Sequence, residues 1–117
     1  MRIIHTSDWH LGHTLMDKTR EEEMRSFFSF LIDVIIKERV DALLISGDIF
    51  DTGTPSNAAL SLYYSFLASI KNTKCKDVFV IAGNHDSPSL LSAPKEILEM
   101  VNVHIYATKE DIKPYVI

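Results

Sequence analysis

At 117 residues, 46% hydrophobic and 24% charged, the chain has the make-up of one globular domain or part of one, and it is too apolar to be disordered. No apolar run exceeds five residues, which excludes a transmembrane helix, and a lone cysteine, Cys75, excludes an internal disulfide and a multi-cysteine zinc site, so a cytoplasmic, reducing setting away from membranes is expected. A net charge of −4, from 16 acidic and 12 basic residues, argues against a simple basic nucleic-acid clamp, although carboxylates that hold metal ions count as negative in that sum.

Short β-branched runs alternate with longer helical patterns. Arg2 to Thr6 reads as a strand. Thr19 and Glu22 form a capping box that opens a helix to Arg39, with Met24, Phe27, Phe28, Leu31 and Ile35 at helical spacing. Ala42 to Ile45 is a buried-type strand ending at Gly47. Thr54 and Pro55 suit an N-cap and first helical position, and the helix they begin runs to Ile70. Val78 to Ala82 is a third strand. Ser87-Pro88 and Ala93-Pro94 punctuate a segment that is helical to about Met100, and Val103 to Tyr106 is the fourth strand. This order predicts an α/β fold: a mostly parallel sheet, right-handed crossovers and helices on both faces. Ligands of such sheets sit beyond the carboxyl ends of the strands.

Three polar clusters follow the first three strands: Asp8-Trp9-His10, Gly47-Asp48-Ile49-Phe50-Asp51 and Gly83-Asn84-His85-Asp86. Asp8 to Asp48 is 40 positions and Asp48 to Asn84 is 36, each about one βα unit, so all three clusters fall on one edge of the sheet. Their carboxylate, imidazole and amide donors suit a pair of divalent cations of the Mn, Fe or Zn kind. Asp8 and His10 reach one ion, Asp48 bridges two, and Asn84 serves the second. Paired cations of this type polarise a phosphodiester and activate water at neutral pH. His85 is placed to stabilise phosphate charge or protonate the leaving oxygen, with Asp51 holding its ring.

The DWH, GDIFD and GNHD motifs resemble the first three signatures of the calcineurin-like metallophosphoesterases. In their longer forms, SDWHLG, SGDIFDTG and AGNHDS, they are similar to the SbcD-type nuclease subunits of the double-strand-break repair family. The resemblance runs from Met1 to about residue 110. It implies the N-terminal part of a metallophosphoesterase sandwich, residues 1–117, truncated before later histidine motifs such as GHxH; no histidine follows His104. Carried over by position, it implies Asp8, His10, Asp48 and Asn84 as ligands of two divalent ions, Mn2+ in this family, with His85 catalytic and Asp51 its partner. It also implies hydrolysis of phosphodiester bonds at DNA ends, exonucleolytic or endonucleolytic, alongside an SbcC-like ATPase and as a homodimer. Two other readings stand beside it: a metallophosphoesterase for nucleotides or phosphoproteins, and a non-catalytic dimerisation fragment.

The second long helix is apolar on two sides. Leu60, Tyr63, Tyr64 and Leu67 make one stripe, and Leu62, Phe66 and Ile70 another, so it needs two partners. The sheet is one, and a second copy meeting Leu62, Phe66 and Ile70 is the expected other. Trp9 and Phe50 are expected to pack, and His5 to lie in the core. His13, Cys75 and the Lys71, Lys74, Lys76 cluster are expected at the surface.

Overall fold

The four strand-like runs pair as one parallel sheet in the order β1 (Ile3–Thr6), β4 (Ala42–Ser46), β5 (Asp77–Ile81), β6 (Val103–Tyr106). The computed structural model describes residues 1–12, 14–15, 18–19, 21–83 and 86–108. A two-rung hairpin that the sequence pattern does not announce, β2 (Thr14–Leu15) with β3 (Lys18–Thr19), follows β1. The helices are α1 (Glu21–Lys37), α2 (Asn57–Ile70), α3 (Pro88–Ser92) and α4 (Lys95–Glu99).

The helix ends show local chemistry at work. Helix α1 carries Glu21, Glu22 and Glu23 in its first turn and Lys37 in its last, both favourable to the helix dipole. It stops two residues before Arg39, because Arg39 adopts a left-handed conformation (φ 51°) and the Val40 amide donates back to the Ile35 carbonyl at 3.1 Å. Helix α2 is capped by Ser56 and not by Thr54. Ser56 is extended and its hydroxyl accepts from the Ala59 amide at 3.2 Å, leaving Pro55 just outside the cap.

The α/β class and the parallel sheet agree with the sequence. The helices, expected on both faces, gather on one among the described residues. The strand order advances in a single direction, and right-handed crossovers that all step the same way deposit their helices on the same side. On that side Leu43, Ile45, Val78, Val80, Val103 and Ile105 are buried with Phe28, Leu31 and Ile35 of α1 and with Ala59, Leu62, Tyr63, Phe66, Leu67 and Ile70 of α2. The other face carries Leu44, Ser46, Phe79, His104 and Tyr106, which are half-buried, and Ile3, His5 and Ile81, which are exposed. His5 is therefore not a core residue; its imidazole hydrogen-bonds the Ser46 hydroxyl on this open face. His104 pairs with Asp77 at 3.0 Å there and stacks on Phe79.

Trp9 and Phe50 pack as expected, at 6% and 1% exposure. The Trp9 indole N–H donates to the Thr6 hydroxyl, and its ring meets Phe28 and Phe66 edge-on at 4.8 and 5.4 Å. Cys75 is buried, not at the surface, and desolvation pushes its thiol pKa up.

The second partner of α2 is also found inside the chain. Leu62, Phe66 and Ile70 are 5%, 3% and 1% exposed, and Phe66 stacks on Phe28 of α1 at 4.6 Å. The expected dimer contact through these three residues is corrected: their apolar surface is already consumed by α1, Trp9 and the sheet. Phe66→Ala is accordingly expected to lower folding stability by about 3–5 kcal/mol in urea denaturation, with no change of mass in light scattering. A variant that keeps its stability and changes its mass would return Phe66 to an interface.

Tyr63 is 1% exposed, and its hydroxyl has no hydrogen-bond partner among the described residues. Burial pushes the phenol pKa upward, helped by Tyr64 and Asp86 nearby. A buried hydroxyl without a partner costs about 1–3 kcal/mol. Tyr63→Phe should therefore raise the melting temperature, and a lower one would show that the hydroxyl is satisfied.

Candidate metal centre

The polar clusters after β1 and β4 are held together by a continuation of the strand ladder. The Asp8 amide donates to the Gly47 carbonyl at 3.1 Å, His10 to Asp48 at 2.9 Å, and Leu11 to Ile49 at 2.9 Å; the Asp51 amide returns to Leu11 at 3.0 Å. Trp9, lodged in the core between Asp8 and His10, fixes this segment from below.

Within that frame the backbone is bent sharply. Asp8, His10 and Asp48 all have positive φ, at 56°, 49° and 50°. Left-handed backbone is unfavourable for a residue with a Cβ, by about 1–2 kcal/mol each, and Asp tolerates it better than most. Gly47, at φ +86°, absorbs the turn just before Asp48 at no such cost. Three strained residues in one place are held by the ladder around them, a pattern typical of functional sites.

The strain has a geometric product. One carboxylate oxygen each from Asp8 and Asp48 and one imidazole nitrogen from His10 lie within 4.8 Å of one another. Asp8 is exposed, while His10 and Asp48 are half-buried, so the cluster is open to solvent and to a ligand. The Asp51 carboxylate stands 3.6 Å from His10 Nδ1. In the described residues Asp51 is thus beside His10; its expected partner His85, like Asn84 and His13, lies outside them.

A cavity of about 580 Å3 adjoins the cluster, reaching from Asp8, His10 and Asp51 to Met24 and Phe27 of α1 and Ala59 of α2. The chain matches the family described as Calcineurin-like phosphoesterase over residues 1–115. It belongs to that family.

The relatives agree in detail. This phosphoesterase chain is 42% identical over 108 residues to the SbcD component of the SbcCD nuclease of Escherichia coli (strain K12), covering 92% of the chain and 27% of the relative. It is 39% identical over 114 residues to the same component of the SbcCD nuclease of Bacillus subtilis (strain 168), covering 96% and 29%. With the DNA double-strand break repair protein Mre11 of Sulfurisphaera tokodaii it shares 38% over 117 residues, covering 97% and 30%. The chain thus spans under a third of the length of these curated relatives.

The sequence left Asp86 without a task. The residue is 6% exposed, and its carboxylate accepts three backbone N–H bonds: from Gly83 at 2.8 Å and Ile49 at 3.1 Å on one oxygen, and from Phe50 at 3.0 Å on the other. Two of the donors lie 36 and 37 positions away, so no local spacing signals them. Gly83 explains itself in the same way. A Cβ there would lie 2.2 Å from the Asp48 amide nitrogen and 2.6 Å from Asp48 Oδ1.

Proposed function

We propose that this chain is the metal-holding N-terminal part of an SbcD-like nuclease subunit that hydrolyses phosphodiester bonds at DNA ends with Mn2+. Its partner in this reading is an SbcC-like ATPase, its setting is cytoplasmic, and its work is repair and recombination. The observation that carries the reading is the convergence of Asp8, His10 and Asp48 at the carboxyl edge of a parallel sheet. The 38–42% identity to nuclease subunits and to a double-strand break repair protein supports DNA over other phosphoesters.

The donor set fits the cation. Two carboxylates and an imidazole are hard-to-borderline ligands, suited to manganese and its neighbours and unsuited to soft metals. Asp8, His10 and Asp48 would hold the first ion, and Asp48 with Asn84 the second. Divalent cations at such a site supply Lewis acidity toward a phosphoryl oxygen and ease the deprotonation of water. The chain's own residues do the rest. Asp51, 3.6 Å from His10 Nδ1, would orient the ring from that side and leave Nε2 to the cation. His85, by its place in the GNHD motif, meets the phosphate or protonates the leaving oxygen. The adjoining cavity leaves room for the groups attached to the reacting phosphorus.

Association of two copies remains part of the proposal, but through surface other than Leu62, Phe66 and Ile70. Their burial favours the catalytic reading over a pure dimerisation fragment.

The test uses the full-length protein with Mn2+ on three substrates: linear duplex DNA, a small phosphodiester and a phosphopeptide. Shortening of the linear duplex that stops on chelation is expected. Phosphopeptide hydrolysis with intact DNA would overturn the reading in favour of a phosphoprotein phosphatase.

A further inference from the structure

We propose that Asp86 is a positioning residue that ties Gly83, after β5, to Ile49 and Phe50 in the loop after β4, so that Asp48 beside them is held in place for the cation. The inference rests on the metal-binding reading above and adds to it a residue that touches neither cation nor substrate. The contacts are specific. Gly83 immediately precedes Asn84, while Ile49 and Phe50 immediately follow Asp48, and one buried carboxylate accepts from all three amides. A buried carboxylate is costly unless its charge is met, and three N–H donors at 2.8–3.1 Å meet it. The same carboxylate therefore spans the two loops where Gly83 comes closest to Asp48, and that close approach depends on the tie.

Replacement by asparagine isolates the effect, because the shape is kept and an acceptor is lost. If the new amide NH2 takes the place of Oδ1, the Phe50 N–H loses its acceptor and faces another donor. If it takes the place of Oδ2, Ile49 and Gly83 both do. Either orientation loosens one loop against the other.

The experiment is a Mn2+ titration of the full-length protein, followed by the electron paramagnetic resonance signal of the free ion. Asp86→Asn is expected to weaken Mn2+ binding about 10-fold, the lower end of what residues behind metal ligands contribute. Leu67→Ala, a core change on α2, is expected to lower the melting temperature and leave the Mn2+ affinity unchanged. Affinity within twofold of the unmutated protein in Asp86→Asn would overturn the proposal. So would an equal loss of affinity in Leu67→Ala, which would mark the effect as general destabilisation. Asp48→Asn separates this from the underlying reading: if it too binds Mn2+ normally, the metal centre itself is misassigned. If Asp86→Asn does not fold, amide exchange of the unmutated protein decides the matter. The Ile49, Phe50 and Gly83 amides should exchange slowly and at a common rate, and exchange of Gly83 independent of the other two would refute the tie.

Discussion

Asp48→Asn is expected to weaken divalent-cation binding by at least about 100-fold, beyond the range for residues that only support a ligand, and to abolish hydrolysis of linear duplex DNA in the full-length protein. Asparagine is the informative replacement. Asp48 sits at φ 50°, where alanine would add backbone strain and asparagine is tolerated. The fold should therefore survive while the charge disappears. Asp48 contributes its oxygen to the cluster with Asp8 and His10, and its carbonyl accepts the His10 amide, a bond the substitution leaves in place. Calorimetric titration with Mn2+ beside circular dichroism checks both halves of the expectation. Normal cation affinity in a folded Asp48→Asn protein would remove the metal centre and the nuclease reading with it.

Gly83→Ala is the second large effect, and its cause is steric. Gly83 is not in the left-handed region, so alanine brings no backbone penalty of its own. The difficulty is the added methyl, which would lie 2.2 Å from the Asp48 nitrogen and 2.7 Å from Gly47 Cα, both backbone atoms that cannot swing aside. The loops after β4 and β5 must part. Overpacking of this kind costs about 1–3 kcal/mol, and here the displaced group is the candidate ligand itself. A lowered melting temperature together with weakened cation binding is expected. Gly47→Ala gives the contrast. Its Cβ would have ordinary contact distance to Gly83 Cα at 3.6 Å, and its cost comes from φ +86° alone. Cation affinity in Gly83→Ala equal to that of the unmutated protein would mean the two loops are not held so closely.

These expectations mark where reading the chain letter by letter succeeds and where it stops. The four strands of the main sheet, their parallel sense and the placement of Asp8, His10 and Asp48 on one edge were legible, because the short β-branched strands alternate with helical patterns, and the apolar runs at residues 42–45 and 78–82 lead into Gly and polar clusters. The hairpin β2–β3 was not legible, since two-residue strands have too few positions to show alternation. The start of α2 was misplaced by two residues because Thr54 and Ser56 are equally good caps on paper, and only the extended Ser56 backbone with its bond to Ala59 decides between them.

The amino-acid order by itself determined the α/β class and the carboxylate and imidazole donors at the strand ends, since those properties depend on spacing along the chain, while the phosphoesterase family followed from the resemblance of the DWH, GDIFD and GNHD motifs. Tertiary structure alone decided three further matters. It showed α1 and Trp9 occupying the second apolar face of α2, it left one sheet face open among the described residues with His5 upon it, and it gave the Asp86 carboxylate three amides from two different loops. Each is a matter of which neighbour fills a surface or satisfies a charge. Side-chain periodicity reports that a face is apolar or that a group is charged, but the neighbour comes from dozens of residues away, and only the packed chain brings it there.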